Sequence, residues 1–204
     1  MIKIIDNVIT PTYANVLMND ARHILQYCYK DKTSEQNSFY AGSIFTDENT
    51  HDYGQLSCPI VIAHEAAPQL QFAWYFDLLR ALMYNVQDIV PEINPNYVTR
   101  IKHNILLQQE NAPELHYNIP HQDAERGCYS MIYYLDDSDG DTFLFNEYYN
   151  KDSLPDKLTV AHRVSPKKNR VVIFESDRYH ASSNPRINKD RFVINFVFAN
   201  ANSR

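Results

Sequence analysis

After Pro95 the apolar residues change period, and that change limits the fold more than any single motif does. Residues 97–108, 128–135, 142–145, 158–164, 171–174 and 192–198 are short runs rich in β-branched and aromatic side chains. Turn signals separate them, among them Asp136-Asp137-Ser138-Asp139-Gly140, Pro166-Lys167-Lys168-Asn169 and Asn184-Pro185. About six strands are expected in this half. Before Pro95 the spacing is helical. Thr10 is a candidate cap and Pro11 suits the first helical position. Val16, Leu17, Ala21, Ile24, Leu25 and Cys28 then recur at helical intervals, which predicts an amphipathic helix over 11–29. Pro68 opens a second helical stretch, closed by Pro91 and Pro95. Its Phe72, Tyr75, Phe76, Leu79, Leu82, Met83 and Val86 cover so much of the circumference that packing on two sides is expected, with Trp74 and Phe76 read as core. Helices followed by a run of short strands give an α+β layout, with the helices outside an antiparallel sandwich or jelly roll.

Residues 30–62 are polar and weakly patterned, which reads as irregular structure with a short strand near 39–45 and enough length for a mobile lid. No repeat or linker divides the chain. A single domain over 1–204 is therefore expected, with 1–96 as helical support and lid and 97–198 as the β core. The balance of 19 Lys and Arg against 25 Asp and Glu, a formal charge of -6, lacks the basic excess of a nonspecific nucleic-acid or polybasic membrane binder. Cys28, Cys58 and Cys128 lie far apart, with neither a disulfide framework nor a zinc spacing, which fits a reducing compartment. The start, MIKIIDNVIT, has no basic stretch followed by an apolar signal core, so a cytoplasmic protein is expected. With four Gly against ten Pro, Asn and Asp are expected to fill many turns.

His121-Gln122-Asp123 sets an imidazole and a carboxylate two positions apart, and in an extended segment such residues project to one side and can grip one ion. Alone the triplet is weak. His180 follows the apolar run 171–174, and Arg191 heads the final strand eleven positions later. Two histidines and one carboxylate from two strands are the set that holds non-haem Fe(II) with adjacent positions open. Period two puts Arg191, Val193, Asn195 and Val197 on one face and Phe192, Ile194, Phe196 and Phe198 on the other, so Arg191 and Asn195 are expected to share a cavity wall. The rigid guanidinium fork of Arg191 suits a carboxylate. His103, His116 and His162 have no acidic residue two positions on and read as structural or as cavity rim. Lys102 and Asn104 are candidates to face the cavity.

Together these pieces resemble a known family. His121-x-Asp123, the run Tyr129-Ser130-Met131-Ile132-Tyr133-Tyr134-Leu135, the turn Asp139-Gly140-Asp141-Thr142-Phe143, the segment from Pro166 through Asn169-Arg170 to Phe174, His180 and Arg191 are similar, in that order, to the core of the 2-oxoglutarate and Fe(II)-dependent dioxygenases, prolyl 4-hydroxylase-like branch. The resemblance spans about residues 97 to 198. It implies a double-stranded β-helix (jelly-roll) core with the N-terminal helices packed outside it. It also implies iron ligands at His121, Asp123 and His180, and a salt bridge from Arg191 to the distal carboxylate of 2-oxoglutarate. Tyr134 resembles a tyrosine that often hydrogen-bonds the same carboxylate, and Asn195 matches a position that lines that pocket. Two departures concern turns: Asp139-Gly140-Asp141-Thr142 stands where Gly-Gly-Glu-Thr is usual, and Asn169 stands where Gly is common. A third concerns the substrate side, since Asn118 occupies the place of a frequent tyrosine three residues before the first metal histidine.

The implied cofactors are Fe(II), 2-oxoglutarate and O2, with ascorbate compatible as an accessory reductant. The implied reaction oxidises a C–H bond while 2-oxoglutarate becomes succinate and CO2. A prolyl or similar residue of a peptide or protein is the expected substrate, and a small molecule the next. A nucleic-acid base oxidase or demethylase on the same scaffold, or a non-catalytic jelly-roll binding module, are the alternatives. The acidic balance counts against the first alternative and the complete ligand set against the second.

Overall fold

The structure is a computed structural model that describes residues 1–34, 45–62, 69–150 and 152–199. In chain order the elements are β1 (Ile2–Asp6), α1 (Pro11–His23), β2 (Cys28–Lys30), β3 (Gln55–Ile62), β4 (Gln69–Leu70), α2 (Ala73–Ile89), a 3-10 turn (Pro95–Tyr97), β5 (Val98–Leu107), β6 (Tyr129–Tyr134), β7 (Thr142–Tyr148), β8 (Val160–Val164), β9 (Arg170–Glu175), β10 (Arg178–Ser182) and β11 (Asp190–Phe198). All pairing between strands is antiparallel. The major sheet runs β1-β9-β6-β11-β5-β3-β2, with β4 added to β3, and the minor sheet runs β10-β7-β8. This is the double-stranded β-helix expected from the sequence, with the helices on its outside.

β11 shows why the sheets face each other as they do. Its odd positions Arg191, Val193 and Asn195 line a cavity between the sheets. Its even positions Phe192, Ile194, Phe196 and Phe198 share a core cluster with Leu17 of α1 and Leu79, Leu82, Met83 and Val86 of α2. Neighbouring β5 repeats the division, with Arg100, Lys102, Asn104 and Leu106 toward the cavity and Ile101, His103 and Ile105 on the other face.

His103 is therefore a core residue. It is 0% exposed between the rings of Tyr75 and Tyr27, with centroids at 5.1 and 6.4 Å, and neither ring nitrogen has a partner among the described residues. Burial pushes its pKa down from 6.5 to about 3. The unfolded chain thus takes up a proton that the folded core refuses, so stability falls as pH drops through 6.5 and goes on falling toward 3. His103→Phe should lose less stability than the parent between pH 6.5 and 4. Urea midpoints across that range measure it, and parallel curves would contradict it.

Several sequence expectations need correction. The helix expected over 11–29 ends at His23, where the Ile24 and Leu25 N–H groups both bond to the Asp20 carbonyl, and Cys28 lies in β2. Periodicity continued by chance past a helix that pairing in the sheet cuts short. Part of 30–62, expected to be irregular, is the eight-residue β3 in the major sheet, while the strand expected near 39–45 falls mostly outside the described residues. Pro68 also lies outside them, and α2 begins at Ala73. α2 buries one stripe, Tyr75, Leu79, Leu82, Met83 and Val86, so packing on two sides is not found, and Trp74 is 44% exposed where core was expected. β1 and β10 went unread. The first 96 residues thus supply four strands as well as helices. Among the described residues no helix is long and apolar enough to cross a membrane.

Asn169 adopts φ 64°, the left-handed turn for which Asn substitutes for Gly. Its amide accepts from the Ile9 N–H at 3.1 Å and donates to the Ile9 carbonyl at 2.7 Å, which ties the start of α1 to the β8–β9 turn.

Candidate active site

The segment before β6 meets β10 through one antiparallel bridge. The His121 N–H donates to the His180 carbonyl at 3.0 Å and the His180 N–H donates back at 2.9 Å. Directly opposed residues project to the same face, so the two imidazoles converge with centroids 4.5 Å apart. Asp123, two residues on, is held by its own N–H on the Ser176 carbonyl at 2.9 Å. One ligand atom from each of His121, Asp123 and His180 can be chosen so that all three lie within 4.8 Å of one another, an arrangement that could hold a metal ion.

Each imidazole is already oriented. His121 Nδ1 lies 2.9 Å from the Ile119 carbonyl and His180 Nδ1 3.1 Å from the Arg178 carbonyl. A carbonyl only accepts, so Nδ1 carries the hydrogen and Nε2 keeps a lone pair for a metal. Burial, with the neighbouring His180, pushes the His121 pKa down to about 3, so its ring is neutral. Asp123 accepts from Ser130 Oγ at 2.8 Å on Oδ2 and from Arg100 on Oδ1, and Ser130 Oγ in turn lies 2.9 Å from Ser176 Oγ. Burial alone would raise the Asp123 pKa, but Arg100 and His180 outweigh it and hold the carboxyl well below its ordinary range. His180 Nε2 stands 3.3 Å from Asp123 Oδ2. Two imidazoles anchored through Nδ1 and an ionised carboxylate are a donor set suited to Fe(II).

The cavity holding these groups measures about 580 Å³ and reaches Arg191. Arg191 is 2% exposed, and among the described residues it forms no ion pair. One guanidinium nitrogen donates to Thr142 Oγ1 at 2.7 Å, while Nε is buried without a partner. Burial pulls its pKa below the ordinary value. Asp141 acts on the guanidinium only from beyond ion-pairing distance, and a buried cation so weakly compensated is costly unless a ligand supplies a counter-charge. A carboxylate at this end of the cavity fits that deficit. Tyr134 completes the cluster from behind: its hydroxyl donates to the same Thr142 Oγ1 at 2.7 Å and its ring lies under the guanidinium carbon at 5.6 Å. Gly140 keeps this corner open, since a Cβ there would lie 2.6 Å from the Ser183 carbonyl oxygen and 3.0 Å from Arg191 Cδ.

The structure brings His121, Asp123, His180, Arg191 and Asn195 to one cavity, and Lys102 and Asn104 line it as well. Asn195 Oδ1 and Asn104 Oδ1 have no hydrogen-bond partner among the described residues. Tyr134 does not line the cavity and reaches it through Thr142 and Arg191. Asn118 serves the fold: its amide accepts from the Tyr53 N–H at 3.3 Å and donates to Ser182 Oγ and Asn184 Oδ1, pinning residue 53 to the segment after β10. His116 packs edge-on against Tyr53 with Nδ1 on the Pro113 carbonyl. Arg100, Thr142, Ser130 and Ser176 were missed. Arg100 was legible, since period two from Lys102 and Asn104 puts it on their face; the two serines meet only in three dimensions.

Residues 108–199 match the family model described as the 2OG-Fe(II) oxygenase superfamily. No curated protein matches the sequence. Among solved structures, a 2OG-Fe(II) oxygenase family oxidoreductase from Burkholderia pseudomallei is similar at TM-score 0.61 and 14% identity, over 100% of this chain and 88% of that one. A Trichoplax adhaerens prolyl hydroxylase, solved in complex with a hypoxia inducible factor oxygen degradation domain peptide, gives 0.56 and 14% over 98% and 83%. The α-ketoglutarate dependent epimerase SnoN from nogalamycin biosynthesis gives 0.62 and 9% over 98% and 76%. At such identities the structures speak for the fold alone, and the family match, over a stretch that includes both histidines, Asp123 and Arg191, is a likeness to the 2OG-Fe(II) oxygenase superfamily, whose members use Fe(II), 2-oxoglutarate and O2.

Proposed function

We propose that the protein hydroxylates a C–H bond of a prolyl or similar residue in a peptide or protein, with Fe(II) held by His121, Asp123 and His180 and the distal carboxylate of 2-oxoglutarate paired with Arg191. The observation that carries the reading is one cavity with three convergent ligands and, along its wall, a buried guanidinium that forms no ion pair among the described residues. When bound, iron and 2-oxoglutarate together with O2 supply the oxidising power, and one oxygen atom enters the substrate while succinate and CO2 leave. The chain's own residues orient and shield. The Ile119 and Arg178 carbonyls hold the two imidazoles in the tautomer that leaves Nε2 to the metal. Arg100 and Ser130 keep Asp123 ionised and fixed. Thr142 and Tyr134 hold the Arg191 fork, and Ile132 and Val193 give the wall between an apolar surface. No side chain is required as a general acid or base. The single-domain organisation and a cytoplasmic location belong to the same reading, the latter carried by the scattered cysteines.

A peptide substrate is supported by the likeness to the Trichoplax prolyl hydroxylase, whereas the likeness to SnoN leaves a small molecule as the second reading. Succinate release from 2-oxoglutarate, followed with and without proline-containing peptides, tests the choice. The expected result is stimulation together with a gain of one oxygen in peptide mass. Stimulation by methylated oligonucleotides and by no proline peptide would overturn the peptide reading.

A further inference from the structure

Three amide side chains on the cavity wall, Asn104, Gln122 and Asn195, each bury an oxygen that has no hydrogen-bond partner among the described residues. A buried acceptor left unmet costs stability that an apolar side chain in its place would not. Two of the three lie on the major sheet. Asn195 stands four positions from Arg191 on one face of β11, and Asn104 is paired across the sheet with Val193 between them. Both therefore belong to the stretch of wall assigned to 2-oxoglutarate. Gln122 comes from a different segment, and the cosubstrate wall does not account for it.

The backbone of Gln122 is clamped on both sides. Before it, the His121 N–H donates to the His180 carbonyl at 3.0 Å and receives the return bond at 2.9 Å; after it, the Asp123 N–H donates to the Ser176 carbonyl at 2.9 Å. The Gln122 Cα is thus fixed at about 3.8 Å from the Cα of each flanking ligand. Its side chain is 6% exposed, and only its own torsions are left free. The last of these is broad, so the amide can turn toward the cavity that the residue lines. A group held by this amide lies beside the metal ligands, and hence beside the carbon to be oxidised.

We propose that Gln122 accepts a hydrogen bond from the main-chain N–H of the residue that follows the oxidised proline. The orphaned atom, Oε1, is an acceptor and calls for a donor. Proline has no N–H of its own, so the nearest main-chain donor is the one carried by the next residue. The consequence is a rule of substrate sequence. The residue after the oxidised proline must keep its N–H, which excludes a second proline there and a proline that ends the peptide. The proposal rests on the peptide reading above and names what such a substrate must offer beside the reacting carbon.

The test is peptide binding to the full chain loaded with Mn(II) and 2-oxoglutarate. A fluorescent octapeptide with a central Pro-Ala is compared with two analogues in which an ester oxygen replaces one N–H, at that alanine or two residues further on, and with a Pro-Pro version. The alanine ester and the Pro-Pro version should bind about tenfold more weakly than the parent peptide, because the buried acceptor stays unmet, and the distal ester within about twofold of it. Gln122→Met keeps an unbranched side chain without the amide, and should bind parent peptide and alanine ester alike. Its Mn(II) affinity should equal that of the wild type, which loss of a merely structural residue between two ligands would not leave intact. Should Gln122→Met fail to fold, the ester comparison on the wild-type protein decides alone. Equal binding of parent peptide and alanine ester, equal loss at both ester positions, undiminished binding of the Pro-Pro version, a preference that survives Gln122→Met, a lowered Mn(II) affinity in that variant, or binding of none of the peptides would overturn the proposal. Succinate release by the wild-type protein with Fe(II) and O2 separates the failures. Its absence under every condition removes the oxygenase reading, its presence without peptide binding removes the peptide substrate, and peptide binding without the ester effect removes only the role of Gln122.

Discussion

Arg191→Lys is expected to raise the 2-oxoglutarate concentration needed for half-maximal turnover by roughly tenfold to a hundredfold, the range for losing a charge-assisted hydrogen bond inside a protein. Lysine keeps the charge but cannot present two parallel N–H groups, nor rest flat over Tyr134 while reaching Thr142. Stability should move the other way in Arg191→Met. The guanidinium is 2% exposed and forms no ion pair among the described residues, with Asp141 acting on it only from beyond ion-pairing distance, so an apolar replacement removes a poorly compensated buried cation and should melt at a higher temperature than the parent when 2-oxoglutarate is absent. Added 2-oxoglutarate should then stabilise the parent and leave Arg191→Met unmoved, because only a ligand that binds the folded state shifts its melting. Thermal scans with and without the cosubstrate decide this. Equal shifts in both proteins would detach Arg191 from the cosubstrate.

His180→Ala should weaken Fe(II) binding by more than about a hundredfold, since even the loss of a residue that merely supports a ligand can cost up to that factor. The substitution also exposes the Asp123 carboxylate to its neighbours, because His180 Nε2 now stands 3.3 Å from it. Arg100 and Ser130 remain to hold the carboxylate, so the fold should survive. Anaerobic calorimetry with Fe(II), or the absorption of bound Co(II), reads the effect directly and without turnover. Unchanged metal affinity would remove His180 from the ligand set.

The halves of the chain differed in how far they could be read. From Val98 onward, alternation located every strand of the β core except β10, and in β11 it divided Arg191, Val193 and Asn195 from Phe192, Ile194 and Phe196 as found. β10 was hidden because Arg178-Tyr179-His180-Ala181-Ser182 carries few apolar residues and its inner face serves the metal site. β3 was hidden for a different reason. Pro59 reads as a strand breaker, yet here its missing N–H coincides with a register shift between Pro59 and Val61, where the ladder is already interrupted. The site was legible where chemistry depends on spacing along one segment, as in His121-x-Asp123. It was illegible where it depends on meetings between segments, as in Arg100 with Asp123 and Thr142 with Arg191.

The position of β11 also governs when the molecule can form. The last strand in the chain lies in the middle of the major sheet, paired with β5 along Asp190–Phe198 on one side and with β6 along Val193–Phe198 on the other. Until it arrives, β5 and β6 have no contact through the sheet and the apolar faces of both helices lack Phe192, Ile194, Phe196 and Phe198. A growing polypeptide therefore cannot assemble this architecture piece by piece from its N-terminus. Residues up to Phe198 must be synthesised before the sheet closes, which makes its folding slow for its size. Metal capture is scheduled by the same topology, because His121 and Asp123 wait for a partner 59 residues from the first of them to be fixed at the opposite strand.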